Sequence, residues 1–522
     1  MEKRLFLAII LSICVLLVYS SISGQFLKKE PKNLNNSVEI SQNIINKPIE
    51  NEFEIPPLLE EVKNDSDSYK LFDNSKLQIK IDIFGGGIKE VFIKDYNSFI
   101  PQKNIVGIVG FDGENYKESI INDLITLSYS EKKSNLIINQ EFEFEKDKYF
   151  WNFKIKITNN SKEKSYVNYG LILGSIENKI LKNSVDQRYY EFSIAFQDSV
   201  LRKQLNSLNS LNLDKKPLWI GIRDRYFCSI LISDTRITKI EKISNEKGLK
   251  FVAIPETIEI LPGETKVNSF RVYTGPQTPA LISEFEHSSE QIIHYGFFDT
   301  ISKMLLGVLR TINKVCKNWG VTLIVFSILV FVVLSPLSIK SFSSMKKMQE
   351  LQPEIEELKS RFKDSPQKLN KELMNLYKEK KINPFGGCLP VLLQMPIFVS
   401  LFQLLMRFVD LKGAKFLWIS DLSLPDRVFV LSKSLPVIGN EINLLPIIMI
   451  ITMLIQQKIT TFKQTGAQDA AQQQKMMSLV MSVFFGIIFY HMPSGLVLYW
   501  TINSILMLVF QSRFLFAKND KK

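Results

Sequence analysis

Residues 321 to 339 read VTLIVFSILVFVVLSPLSI, nineteen residues without a formal charge. A helix needs about 20 apolar residues to cross the hydrocarbon of a bilayer, so this stretch reads as a membrane span. The pattern recurs downstream. Ile382 to Met406 is uncharged over twenty-five residues and Ile442 to Gln457 over sixteen, and Met476 to Tyr490 and Pro493 to Ser512 complete a set of five. The short members must tilt, snorkel or thin the bilayer around them. Spans are therefore predicted at 320–339, 386–408, 442–458, 475–491 and 493–512 of the 522-residue chain.

The N-terminus repeats the theme. Lys3 and Arg4 precede an uncharged run from Leu5 to Leu27. A basic start before an apolar stretch resembles a secretory signal, and Ser21-Ile22-Ser23 offers a small-residue cleavage site. The run can span a bilayer, so 1–27 reads as an uncleaved signal-anchor. Cys14 follows Ile13 rather than the small residue a lipoprotein site needs. Residues 28–68, with Asn35-Asn36, Asn46-Lys47-Pro48 and Ile55-Pro56-Pro57, read as a tether with little fixed structure.

Orientation follows from Lys and Arg in short loops, which favour the cytoplasm. Segment 340–381 carries eleven basic and seven acidic residues, whereas 410–441 balances four against four. Loop 458–475 has Lys458, Lys463 and Lys475 against Asp469, and the tail 513–522 has Arg513, Lys518, Lys521 and Lys522 against Asp520. Both termini are thus expected inside and the region before 320 outside, in the periplasm of a two-membrane cell. This asymmetry and anionic lipid account for the net charge of +12. No nucleic-acid partner is expected, because no Arg-rich helix or zinc-ligand spacing accompanies the charge.

Between 69 and 296 the apolar period changes to two. Leu77, Ile79, Ile81 and Ile83 alternate with polar residues, and Gly85-Gly86-Gly87 interrupts before Ile88 to Ile93. Trp151, Phe153, Ile155 and Ile157 alternate and stop at Asn159-Asn160-Ser161; Val252 to Ile260 and Ser269 to Tyr273 read likewise. Strands parted by turns at short spacing predict an antiparallel β-sandwich. No catalytic constellation is visible in it, and His287 and His294 read as surface residues.

Over 297–317, Phe298, Ile301, Met304, Leu305, Val308, Leu309, Ile312 and Val315 recur at helical spacing, with Lys303, Arg310, Lys314 and Lys317 between. This is the pattern of a helix lying on the membrane interface. A helix packed on the β domain has the same signature, and that alternative stays open. Within 340–381, Met345, Met348, Leu351, Ile355, Leu358 and Phe362 form one helical stripe, and Leu369, Leu373, Leu376 and Tyr377 a second. Ser365 and Pro366 between them suit an N-cap and a first helical position. A hairpin of two short antiparallel helices is predicted; it buries little and should be mobile.

The chain lacks the residues that intramembrane chemistry needs. Three histidines without an HExxH exclude a zinc protease, no GxxxxGK[ST] is present for a nucleotide, and the five spans contain no Asp or Glu. Cys14, Cys228, Cys316 and Cys388 show no CxxC spacing; a Cys228–Cys316 bridge is left open. Ser494-Gly495 has no membrane-embedded His or Lys beside it and reads as easing helix entry. The spans carry weakly polar groups instead, among them Ser327, Ser335, Gln403, Thr452, Gln456, Ser482, Thr501 and Asn503. Singly, each reads as a helix–helix hydrogen bond; together they could line a wet groove that lowers the cost of moving polar segments into lipid. No enzymatic activity, metal or cofactor is expected.

Five motifs now bear on family. Asn383-Pro384-Phe385-Gly386-Gly387-Cys388-Leu389-Pro390 is followed by Leu393-Gln394-Met395-Pro396-Ile397-Phe398. Around it stand Asn318-Trp319-Gly320, Leu351-Gln352-Pro353, Leu417-Trp418-Ile419-Ser420-Asp421-Leu422 and Pro493-Ser494-Gly495-Leu496-Val497-Leu498-Tyr499-Trp500. In order and spacing, roughly over 318 to 512, they resemble the YidC/Oxa family of membrane protein insertases. Trp219-Ile220-Gly221-Ile222 and Gly275-Pro276 more loosely resemble the periplasmic β-sandwich of its Gram-negative members.

The resemblance implies an all-α membrane core of five helices around a groove open to cytoplasm and lipid and closed outside. An N-terminal anchor helix, an all-β periplasmic sandwich and a cytoplasmic helical hairpin complete the expected fold. It implies an inner-membrane insertase and chaperone acting on nascent membrane-protein clients in the lipid bilayer. The Sec translocon and the ribosome are the further partners it suggests. Ser327, Phe331, Gln403, Gln456, Thr501 and Asn503 would face the groove. Leu392, Met395, Phe398 and Phe402, with Met481, Phe484 and Phe485, would form an apolar slide. Met348, Leu351, Pro353, Leu373 and Tyr377 of the hairpin would first capture the client, and Pro390 and Pro396 would bend the third span.

One position departs from the family pattern. Members place an arginine in the second span, five residues before the proline of a Pro-Leu-Ser/Thr motif; here that proline is Pro336 and the position holds Phe331. Charge attraction at 331 therefore cannot drive insertion in this chain. Lys340 and Lys458 at the cytoplasmic mouth, or Arg407 from the far end, would supply field instead. With Ser327 one turn away and Gln403 and Gln456 as polar lining, the groove is expected to be wet enough to accept an arginine at 331. A rival reading, a scaffold that stabilises assemblies through its β domain, is separated by an insertion assay on a small single-span client.

Overall fold

The structure, a computed structural model of the chain, describes residues 69–516 except 83–85, 110–116, 122–123, 132–134, 183–186, 247, 285–288, 363–364, 381–388, 436–438, 462–478 and 481. The expected anchor 1–27, the tether 28–68, the motif from Asn383 to Cys388, His287, Met481, Lys463, Lys475 and the tail beyond 516 lie outside the described residues.

Period-two patterning becomes antiparallel sheet. In Leu77–Asp82 the odd positions Leu77, Ile79 and Ile81 are fully buried. The strand pairs with Gly87–Ile93 in a four-stranded sheet that also holds Tyr69–Asp73 and Ser98–Phe99. A nine-stranded sheet runs, edge to edge, through Val200–Gln204, Glu191–Ala195, Trp219–Arg223, Phe227–Ser233, Thr265–Pro276, Phe150–Asn159, Leu136–Phe144, Leu124–Glu131 and Lys117–Ile121. A five-stranded sheet joins Leu211–Asn212, Ile237–Asn245, Gly248–Pro255, Gly170–Glu177 and Ile108–Val109. Phe192 of the nine-stranded sheet meets Phe251 of the five-stranded sheet with ring centroids 5.5 Å apart, and Phe72 stacks on Phe144 at 4.1 Å. The sheets thus share one apolar core, in which each buried aliphatic or aromatic side chain contributes about 1.5–3 kcal/mol. The expected stop at Asn159 is an Asx turn: Asn159 Oδ1 accepts from Ser161 N at 2.9 Å.

The remainder of the described chain is largely helical. We label Asp299–Cys316 α1, Trp319–Glu350 α2, Gln352–Arg361 α3, Pro366–Glu379 α4, Leu389–Leu405 α5, Leu444–Thr461 α6, 482–490 α7 and Ser494–Phe516 α8. By length and composition, 319–344 of α2 and 494–513 of α8 suffice to cross a membrane; Gln394–Leu405 and Leu444–Gln456 are shorter apolar segments. Helix α1 buries Ser302, Leu305, Leu306 and Leu309 on one face, and Ser302 Oγ donates to Ser400 O of α5 at 3.0 Å. It ends where Lys317 turns left-handed (φ 52°) and its N–H closes on Asn313 O.

One local expectation is corrected and two details are added. The first hairpin stripe was expected to run unbroken from Met345, but α2 continues through Pro336 to Glu350 and the next helix begins only at Gln352. Pro353 in the first turn of α3 explains the break, since a proline has no N–H to bond the carbonyl of Gln349 and its ring crowds that carbonyl. Ser365 is the N-cap residue of α4 and Pro366 its first residue, as expected, although the Ser365 hydroxyl makes no capping bond. The loop 410–441 contains an unanticipated strand pair, Phe429–Leu435 with Gly439–Ile442. In the hairpin, Leu351, Ile355 and Leu376 form a small core of their own, backed by Leu358, Leu373 and Tyr377. An ion pair from Lys380 to Glu354 at 3.1 Å joins the end of α4 to the start of α3, so the two helices are antiparallel.

Candidate functional site

The helices turn apolar side chains outward. Val321, Val325, Leu329 and Val333 follow one face of α2 at four-residue spacing, as do Ile447, Ile451 and Ile455 on α6; all are at least 37% exposed. Val483 and Ile487 on α7 and Ile505 and Val509 on α8 continue the pattern. Contiguous apolar surface of this extent is unfavourable in water and expected against hydrocarbon.

Inside the bundle the apolar candidates converge on a residue that sequence reasoning passed over. The Trp500 ring lies 4.8 Å from Phe398, 5.5 Å from Phe489 and 6.3 Å from Phe485, and Phe398 and Phe485 extend the cluster to Phe402 at 6.2 Å and Phe484 at 6.1 Å. Helices α5, α7 and α8 therefore meet through aromatic edges and faces, contacts worth about 0.5–1.5 kcal/mol each beyond area burial. Met395 is 47% exposed on α5. Leu392 lies in the same helix. Trp500 ended a family motif in the sequence, but nothing local marked it as a hub.

The polar candidates are arranged differently from the expectation. Ser327 Oγ donates to Leu323 O at 2.7 Å, Thr452 Oγ1 to Ile448 O at 2.8 Å and Thr501 Oγ1 to Val497 O at 2.7 Å, each one turn back in its own helix. Asn503 Nδ2 likewise reaches Tyr499 O at 3.3 Å. Such back-bonding satisfies the side chain without a partner helix. Gln403 sits at the far end of α5, its Nε2 2.8 Å from where a Cβ on Gly296 (φ 115°) would stand. Phe331 is half-buried, its ring edge-on to Phe510 at 5.8 Å. Gln456 is half-buried on α6. The structure thus brings the aromatic candidates together and places Gln403 against Gly296. Of the capture residues, Leu351 is buried, Leu373 and Tyr377 flank it, and Pro353 is exposed; Met348 lies in the last turns of α2.

The end of the bundle nearest the β domain is held by polar contacts. Arg225, in the turn after Trp219–Arg223, donates through Nε to Met406 O at 2.5 Å, while its guanidinium lies 5.5 Å from the Tyr189 ring. His294 O accepts from Arg223 Nη1 at 3.0 Å and from Arg407 Nη1 at 2.6 Å. His294 is therefore half-buried at the junction rather than on open surface, and burial holds its imidazole below the ordinary range. Arg310 of α1 pairs with Asp410 at 3.3 Å, where burial pushes the carboxyl up while the guanidinium opposes the shift. Arg407 is thus engaged with backbone at this end.

The segment 409–428 follows. Leu424 O and Leu422 O accept from Ser494 N at 2.7 Å and Gly495 N at 2.9 Å, the first amides of α8. Asp426 Oδ2 accepts from Leu444 N at 2.8 Å and Leu445 N at 3.0 Å, the first amides of α6, and from Trp418 Nε1 at 3.2 Å. Gly320 at the start of α2 lies against the Phe416 ring, an approach that a larger residue would block, and Gly495 packs closely on Leu411 and the Leu422 carbonyl.

Apolar helices facing outward around an aromatic interior, joined at one end to a large β-sandwich, define an integral membrane protein with a folded domain outside the bilayer. Comparison with known proteins narrows this. Residues 311–522 match the profile described as 60Kd inner membrane protein, and residues 121–308 match the YidC periplasmic domain. A membrane protein insertase YidC from Legionella pneumophila is 31% identical over 407 residues, 75% of this chain and 68% of its own length. One from Syntrophobacter fumaroxidans is 32% identical over 393 residues, 74% and 70% of the two chains. One from Pelobacter propionicus is 37% identical over 320 residues, covering 61% of this chain and 57% of the relative. A crystal structure of an active YidC insertase is similar at 20% identity over 86% of this chain and 93% of that one, with a TM-score of 0.39. The chain belongs to the YidC family of membrane protein insertases, non-enzymatic proteins of the inner membrane that carry a periplasmic domain.

Proposed function

We propose that this chain receives nascent membrane-protein segments at the cytoplasmic face and passes them into lipid along an apolar path formed by α5, α7 and α8. The observation that carries the reading is the aromatic cluster around Trp500, with Met395 exposed on the same helix as Phe398. A transiting segment exchanges apolar contacts there without having to desolvate fixed charges. The hydroxyls of Ser327, Thr452 and Thr501 are satisfied within their own helices, so the path does not depend on them. The α3–α4 hairpin, with its small separate core, is the capture element, and its loose packing suits reversible contact. The charge asymmetry of the loops supports a multi-pass arrangement with cytoplasmic termini and the β domain outside. Clients arriving from a ribosome or from the Sec translocon would enter by the same path.

The test is reconstitution of the full chain in proteoliposomes with a small single-span client. The expected result is protease-protected client that depends on the protein. Clients bound at the surface without protection would favour a scaffold instead.

A further inference from the structure

A path open toward cytoplasm and lipid must still hold ions back, and the contacts of segment 409–428 point to how. The N-terminus of a helix leaves several amides without an intrahelical partner and carries a partial positive charge. Local caps usually come from the residue just before the helix. Here two such ends are capped from a distance by one segment. The cap on α6 is Asp426, eighteen residues before Leu444, and it is 3% exposed. The cap on α8 is the pair of carbonyls of Leu422 and Leu424. The segment has a closely packed core of its own: Leu411 and Leu422 are fully buried, and Ile419 and Ser423 are 2% exposed.

We infer that segment 409–428 is the outer permeability seal of the bundle, and that Asp426 is the positioning residue that locks it, by holding the α6 amides and the Trp418 indole on one carboxylate oxygen. Asp426 touches no client; it acts through the helices it caps. Adjacent contacts keep the lock in register. Ser494 Oγ donates to Asp421 O at 3.2 Å, and Asn443, next to the capped amides, donates through Nδ2 to Tyr490 O at the end of α7 at 2.8 Å. The start of α6, the end of α7 and the start of α8 are thereby tied to one another.

The inference rests on the insertase reading only in that a one-sided path needs a seal, and its readout needs no client. The full chain is reconstituted in liposomes, and the decay of an imposed pH gradient is followed with a trapped dye. Wild type is expected to be as tight as protein-free vesicles. Asp426→Ala, which leaves the α6 amides and the indole without acceptor, is expected to raise the leak about fivefold, within the range by which a lost helix cap shifts an equilibrium. Asp426→Asn, which keeps one acceptor oxygen, is expected to fall between. A folded Asp426→Ala protein as tight as wild type overturns the inference. If Asp426→Ala does not accumulate, Trp418→Phe carries the test, with about a twofold rise from one lost hydrogen bond and no rise as the overturning result. Client insertion in the same vesicles separates the two claims: leak without insertion in any protein contradicts the insertase reading and supports the seal, whereas insertion without a leak difference overturns the seal alone.

Discussion

Arg225 of the β domain and Met406 at the end of α5 are joined by a 2.5 Å hydrogen bond from Nε to the backbone carbonyl. The last carbonyls of a helix have no intrahelical partner, and a cation there complements the helix dipole. The β domain therefore supplies the C-terminal cap of the helix that carries Met395, Phe398 and Phe402. Arg225→Ala removes a charged hydrogen bond worth about 1.5–3 kcal/mol and the cover of Tyr189. It should speed amide hydrogen exchange over 402–408 while leaving the strands around Phe153 protected. Unchanged exchange at the end of α5 would mean that the contact is passive.

The hairpin should be separable from the fold. Leu376→Ala removes one of three buried side chains of its small core. A loss of about 2–4 kcal/mol is more than so small a unit is expected to hold. Limited proteolysis should then cut within 352–379 while the protein stays in the membrane. Replacing 352–379 by a short flexible linker should likewise spare membrane accumulation and lower client insertion. Normal insertion by that variant would remove the capture role.

Position 331 offers a direct reading of how wet the path is. The sequence suggested that an arginine would be accepted there, but Phe331 packs edge-on to Phe510 and Ser327 is satisfied by its own helix. A guanidinium at this depth would cost about 2.5–3.5 kcal/mol on insertion scales. Phe331→Arg should therefore accumulate less than wild type and insert acidic-tailed clients no better at matched protein level. Full accumulation with improved insertion would show that the path is hydrated at this depth.

Trp500 should matter more than any single phenylalanine around it, since it touches rings from both α5 and α7. Trp500→Ala is expected to cost about 3–5 kcal/mol and lower the thermal midpoint in detergent. Trp500→Phe should recover most of it. Equal loss in both variants would point to the indole N–H instead of the ring.

Elements were legible where the pattern is local. The alternation of Leu77, Ile79 and Ile81 foretold a half-buried strand, and the uncharged run 321–339 foretold most of α2. Pro353 was visible too, but its effect, ending α2 at Glu350, competes with a continuous apolar stripe that sequence alone cannot weigh. What escaped was tertiary. Asp426 lies eighteen residues from the amides it caps, and Arg225 lies 181 residues from the carbonyl it holds. Gln403 looks like any polar residue in a span until Gly296 is seen beside it. The hydroxyls of Ser327 and Thr501 gave no hint of which carbonyl they would choose, because back-bonding and lining a groove use the same residue types.

The central claim is that clients pass along α5, α7 and α8. Site-specific photo-crosslinking tests it most directly, with a photoreactive residue at Met395 or Phe484 and, as reference, at Ile451, 51% exposed on α6. A ribosome-stalled single-span client should crosslink strongly at 395 and 484 and weakly at 451. Crosslinking at 451 equal to that at 395 and 484, or none at those two positions while insertion proceeds, would contradict the account.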